Sequence, residues 1–148
     1  MDPPLGRRLY LGHRATHDVL DERMSERGAS LWHWILLRQA AEQEGSSQRE
    51  LAESMHIEPP TLVRHLDNLA HEGLVERRRD KRDRRIARVY LTDAGRLRLQ
   101  ELHDVAQEAD EELRSLLTES EIEVLGETLM RIHDHFAEKK EARGVSQR

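Results

Sequence analysis

Cysteine is absent from this chain of 148 residues, which excludes disulfide stapling, thiolate metal ligation and thiol-based sensing. Aromatic residues are scarce, 3% of the total against 36% charged. That is thin core material for a helical, highly charged protomer, and it favours one that completes its core by pairing with a second copy. No apolar run approaches the roughly eighteen residues that a membrane span needs, and there is no signal-peptide hydrophobic region, so the expected location is the cytoplasm. Enzyme signatures are missing as well: there is no nucleophile elbow, no phosphate-cradling glycine loop and no metalloprotease helix motif. No enzyme activity and no cofactor are expected. The length suits a single domain.

What is present is concentrated between Ser47 and Leu91. Ser47 and Glu50 stand three apart, as a capping box requires, and open a helix with Leu51, Ala52 and Met55 on its apolar side. His56-Ile57-Glu58 reads as a tight turn. Pro59 and Pro60 lack amide donors and have preset φ, so they suit the first turn of a second helix. Leu62, Leu66 and Leu69 give that helix a buried face, leaving Thr61, Arg64, His65 and Asn68 on the other side, and Gly73 stops it. Beyond Gly73 the period becomes two: Ala87, Val89 and Leu91 alternate with Ile86, Arg88 and Tyr90. Two strands around the polar hexapeptide Asp80 to Arg85 make a hairpin. From Glu76 to Arg88 there are seven arginines, Lys81 and three acids, a local charge of +5 in a chain of net charge −5. A helix-turn-helix followed by a basic ribbon is the pattern of a winged helix that lays one helix in the major groove of DNA. The chain's acidic average does not oppose this, because phosphates meet a local field.

The remaining chain is helical in pattern. Residues from Leu5 to about Met24 repeat apolar or small side chains at helical period, and Arg27-Gly28-Ala29 is a break. Ser30 can cap a helix from Leu31 to about Gln43, with Trp32, Ile35, Leu36 and Ala40 available for packing. Thr92 is the expected cap of a fifth helix with a stripe of Leu97, Leu102, Val105, Ala109, Leu113 and Leu116. A second capping box, Thr118 to Glu121, opens a sixth with Ile122, Leu125, Leu129, Ile132 and Phe136 inside. Residues 101–142 carry thirteen acids and four basic residues, so that segment cannot lie on DNA. Its long stripe is expected to meet another copy of the chain.

The run PPTLVRHLDNLAHEGLVERR, followed by DRR and LTDAGR, resembles the core of the MarR family of bacterial transcription regulators, in its SlyA-like branch. Pro4 to Gly6, His33-Trp34 and the two C-terminal helices fall in matching order, so the resemblance covers nearly the whole chain. It implies a mostly α fold with a small β-hairpin: a winged helix-turn-helix flanked by N- and C-terminal dimerisation helices. The expected layout is one domain over 1–148, with N-terminal helices at 5–43, the DNA-binding lobe at 47–91 and dimerisation helices at 92–141. A homodimer would then read an inverted repeat in duplex DNA, its two reading helices about one helical turn apart. Repression is the expected outcome, since a compact dimer blocks polymerase by occupying a promoter.

Within that frame Arg64 can reach guanine O6 and N7, a bidentate contact worth roughly 1–3 kcal/mol of discrimination. Pro60, Thr61 and Asn68 are further candidates at the DNA surface, and Arg49 and Arg78 are expected to touch phosphates only. Asp83-Arg84-Arg85 resembles the family's DxR element, in which the arginine matching Arg85 enters the minor groove and the acid matching Asp83 holds it. A narrow A·T-rich minor groove has the enhanced negative potential to draw in an arginine. Other wing arginines supply sequence-independent affinity, with two or three of Arg77, Arg79, Arg82 and Arg88 expected to be solvated surface.

A ligand site is a second expectation. Arg14 and His17 share one helical face and Trp34 and Arg38 another, so two guanidinium groups, an imidazole and an indole could surround a flat anion. The resemblance implies a small aromatic carboxylate, of salicylate type, as effector, with Arg14 and Trp34 matching the family's residues. His17 stands where an arginine is usual, Arg38 where a histidine is and His65 where a threonine is. Two rival functions stay open on the residues: a metal-responsive DNA-binding regulator, suggested by nine histidines but lacking a compact cluster, and a protein-interaction module with a basic docking hairpin.

Overall fold

The computed structural model describes residues 2–145, with side chains to Lys139. Six helices and one hairpin follow in the order α1 (Leu5–Glu26), α2 (Leu31–Glu42), α3 (Gln48–Ser54), α4 (Pro59–His71), β1 (Val75–Arg79), β2 (Ala87–Leu91), α5 (Asp93–Ser115) and α6 (Glu119–Val145). This is the mostly α, winged helix-turn-helix architecture expected. Two compact units divide at Ala109/Asp110 within α5.

In the first unit, local hydrogen bonds set most boundaries. Ser47 Oγ accepts from the Glu50 amide at 3.2 Å while the Glu50 carboxylate accepts from the Ser47 amide at 2.7 Å, completing the box that starts α3. His56 takes φ 52° after α3, and Ile57 N reaches back to the Ala52 carbonyl at 3.1 Å. The chain then turns sharply into the Pro59-Pro60 start of α4. Leu62, Leu66 and Leu69 are fully buried, as their spacing requires. They meet Leu36, Leu37 and Ala40 of α2, Leu51 and Ala52 of α3, and Val75, Val89 and Leu91 of the hairpin in a single core.

β1 and β2 pair antiparallel from Val75↔Leu91 to Arg79↔Ala87. A third edge joins them: Gly45 N donates to the Val89 carbonyl and Val89 N to the Ser46 carbonyl, both at 2.9 Å. Gly45 holds φ +82° there, and a Cβ on it would stand 3.2 Å from the Tyr90 hydroxyl, so the position suits glycine twice over. Thr92 caps α5 through Gly95 N, at 3.0 Å.

The expected α5 stripe needs correction at Leu97, which is 70% exposed. Gly95, Leu102 and Val105 face inward, with Leu99 packed beside them. The helix is phased by Gly95, whose backbone lies against the Leu74 carbonyl so closely that a Cβ would come within 1.9 Å of that oxygen. Leu97, two residues further on, is rotated away.

In the second unit, Thr118 and Glu121 form the expected capping box, with the Thr118 amide 2.8 Å from the Glu121 carboxylate. The stripe expected inside is not buried within a single chain. Leu125, Leu129 and Phe136 are exposed and Ile122 and Ile132 only half-buried; Leu113 and Leu116, from the far end of the stripe expected on α5, are exposed too. Leu5, Tyr10, Leu11 and Val19 of α1, in the first unit, are exposed as well. Among the described residues no helix is long and apolar enough to cross a membrane.

Candidate nucleic-acid interface

The exposed side of α4 carries Pro60, Arg64 and Asn68, with Thr61 half-buried at its first turn. Arg64 makes no ion pair among the described residues, so its guanidinium is open to a ligand. His65, on the same helix, stacks on Trp32 of α2 with ring centroids 5.1 Å apart and planes 19° from parallel. Burial, then the nearby Arg64 and His33, pushes the His65 imidazole below its ordinary pKa. His65 therefore does not join Trp34, as the ligand-site expectation had it, but Trp32.

The hairpin tip is held by two carboxylates. Asp83 accepts from the Arg85 amide at 3.0 Å and from Nε and Nη2 along one edge of the Arg85 guanidinium at 3.1 and 3.2 Å. That fork holds the Asp83 carboxyl below its usual range while the Arg85 side chain stays 91% exposed. An arginine so open would ordinarily sample many rotamers; here its plane is set from below. Asp80 accepts from the amides of Arg82 and Asp83 at 2.7 and 3.0 Å and from the Arg88 guanidinium. Those donors keep its carboxyl well below the ordinary carboxylate value, the Arg88 contact contributing most.

Of the four arginines of which two or three were expected to be solvated surface, Arg77, Arg79 and Arg82 are exposed and Arg88 half-buried, but they differ in their partners. Arg77 pairs with Asp67 of α4 at 2.7 Å, Arg79 donates to the Arg84 carbonyl at 2.7 Å, and Arg88 binds Asp80 and the Gly45 carbonyl. Only Arg82 of that group has no side-chain partner among the described residues, and Lys81 and Arg84 share this state at the tip. Arg78 pairs with Glu76 and lies 4.5 Å over the Tyr90 ring, and Arg49 reaches Glu53 at 2.8 Å. These exposed pairs are worth little and yield readily to phosphate.

Of the residues nominated for a ligand, Arg14, His17 and Arg38 are engaged within their own helices. Arg14 and His17 both turn to Asp18, at 3.6 and 3.7 Å, and His17 also meets His13 edge-on. Arg38 binds Glu42 at 2.8 Å and places its guanidinium 5.7 Å from the Trp34 ring. Trp34 packs against the core, and its indole Nε1 is buried with no hydrogen-bond partner. Sequence reasoning missed one neighbour of this region. His33 replaces the usual glutamate in the α2 capping box, its Nδ1 3.1 Å from the Ser30 amide, and its Nε2 lies 2.9 Å from Glu72 at the end of α4. The Ser-x-x-His spacing was visible, but its reach across to α4 was not. Among the described residues no three side chains of His, Asp or Glu gather as metal ligands would.

A helix with an open arginine beside a basic, carboxylate-braced hairpin is the arrangement of a winged-helix DNA-binding protein. The MarR family model matches residues 30–87. A mutant MarR from E. coli complexed with operator DNA superposes with a TM-score of 0.81 at 26% identity, over 87% of this chain and 93% of that one. The transcriptional regulator PA3341 is 32% identical, with a TM-score of 0.78 over 91% of this chain and 99% of that one. The transcriptional regulator SlyA shares the fold at 22% identity, with a TM-score of 0.82 over 93% of this chain and 96% of that one. The chain belongs to the MarR family.

Proposed function

We propose that two copies pair through α1 and α6 and present two winged helices to an inverted-repeat operator in duplex DNA, repressing transcription by occupancy. Helix α4 lies in the major groove, where Arg64 reads a guanine and Thr61 and Asn68 meet bases or phosphates, while Pro60 sits at the helix's leading end. The wing follows the backbone, with Arg85 in the minor groove and Arg49, Arg78 and Arg84 on phosphates. The observation that carries this reading is the Asp83–Arg85 fork, which orients an otherwise free guanidinium outward at the tip. Operator binding by the related E. coli MarR supports it. The apolar side chains left exposed on α1 and α6 support the pairing.

The test is a titration of Arg64→Ala and Arg85→Ala against a cognate duplex and against random DNA. Arg64→Ala should weaken the cognate site by about tenfold or more and leave random DNA nearly unchanged, as loss of one bidentate base contact requires. Arg85→Ala should weaken both. Equal losses for Arg64→Ala would remove it from the base-reading role.

A small aromatic carboxylate as effector is favoured by one observation: the unpaired Trp34 indole N–H lies beside the Arg38 cation. A buried donor without a partner costs roughly 1–3 kcal/mol, which an incoming acceptor would recover. With Arg14 and His17 completing the binding set, such an anion releases DNA by favouring a spacing of the reading heads that the operator does not match. Salicylate should then quench or shift tryptophan fluorescence and weaken operator binding; no change in either counts against it.

A further inference from the structure

The wing holds an acid where electrostatics alone would not put one. Asp80 stands at the entrance to the tip of a DNA-facing hairpin, yet its side chain is only 15% exposed. Its Oδ1 receives the amides of Arg82 and Asp83, which closes the tip turn from inside, and its Oδ2 receives Arg88 Nε. The turn is closed a second time by the backbone, Asp80 N to the Ile86 carbonyl at 2.9 Å and Ile86 N to the Asp83 carbonyl at 3.0 Å.

Arg88 carries the connection inward. Besides Asp80, its guanidinium donates to the Gly45 carbonyl at 2.8 Å and stands 3.8 Å from the Glu50 carboxylate. Gly45 belongs to the third edge of the sheet, and Glu50 is the acid of the box that starts α3. A continuous set of charge-assisted contacts therefore runs from the start of α3 to the tip turn. The cations beyond it, Lys81, Arg82 and Arg84, have no side-chain partners of their own among the described residues. Arg88, two-thirds covered, with its fork spent on Asp80 and the Gly45 carbonyl and a third oxygen, of Glu50, nearby, has little left for a phosphate.

We infer that Asp80 and Arg88 are a positioning pair that sets the pitch of the wing tip relative to the start of α3, so that DNA affinity depends on an anion that itself repels DNA. This rests on the DNA-binding reading above. It separates two arginine classes that composition cannot: cations that meet phosphate, and one that aims them. A phosphate-contacting arginine is replaceable in part by lysine, because the point charge is kept. A guanidinium spanning an aspartate and a carbonyl is not, because an ammonium lacks the planar fork.

The experiment uses the full chain and a duplex recovered from a randomised library by selection on the wild type. Binding is titrated for Asp80→Asn, Arg88→Gln, Arg88→Lys and the Asp80→Asn/Arg88→Gln double variant, with thermal unfolding as a check on folding. Asp80→Asn should weaken binding by about tenfold, the scale of one lost charge-assisted contact, although it removes a negative charge. Arg88→Lys should bind as poorly as Arg88→Gln, and the double variant no worse than the weaker single, since both act through one contact. Tighter or unchanged binding by Asp80→Asn, restored affinity in Arg88→Lys, or additive losses would each overturn the pair. Hydrogen exchange without DNA is the second readout: the Arg82 and Asp83 amides should exchange faster in Arg88→Gln, and unchanged rates would overturn the pair by themselves. Failure of the wild type to select any duplex would instead sink the DNA-binding reading, and the exchange rates would still judge the pair.

Discussion

His65 shows how a single residue on the reading helix couples packing to acidity. Its ring lies over Trp32, and the imidazole is held below its ordinary value of 6.5, chiefly by burial and then by the charges of Arg64 and His33. The unfolded chain accordingly takes up a proton near pH 6.5 that the folded chain resists. Stability from this site is complete above that pH and is lost as pH falls through the window below it. The urea midpoint of the wild type should drop between about pH 7.5 and about pH 5.5, and His65→Phe, which keeps a ring against Trp32, should flatten that part of the drop. An identical pH dependence in both proteins would contradict it. At this scale the sequence was partly legible. Arg85 and Asp83 stand two apart and pair as the resemblance implied. Arg77 and Arg88 were unreadable, because Asp67 and Gly45, their partners, lie ten and forty-three residues away along the chain.

At the scale of elements, α5 is phased by what its first turn rests on. Gly95→Ala would gain about 1 kcal/mol in helix propensity. Against that, the new Cβ would stand 1.9 Å from the Leu74 carbonyl oxygen, a backbone atom that cannot swing aside. Overpacking of this kind costs about 1–3 kcal/mol and more when backbone must move, so the clash wins. Gly95→Ala should be destabilised by at least about 2 kcal/mol in denaturant unfolding, and a variant as stable as wild type would refute the close approach. The starts of α3 and α6 were readable from their capping boxes, since donor and acceptor are three residues apart. The phase of α5 was not: Leu97 fits the apolar spacing, and only contact with the loop after α4 rotates it outward.

For the whole molecule, the exposed stripe on α6 is where the proposed pairing can be tested. Leu125, Leu129 and Phe136 are 42, 43 and 63% exposed in a single chain. Burying a leucine contributes roughly 1.5–3 kcal/mol, so a row of them left in water favours association. Leu129→Asp should shift the protein toward monomer in analytical ultracentrifugation and weaken operator binding with it, whereas a variant that stays dimeric would move the interface elsewhere. The sequence by itself determined the helices, their caps, the hairpin and the excess of cations on it, because those depend on hydrogen bonds and periodicities within a few residues. Only the tertiary structure decided which arginines are free and which are spent, that His65 meets Trp32, and that Asp80 with Arg88 braces the wing. Ion pairs and stacks form between groups that folding brings together, and no local spacing encodes that distance.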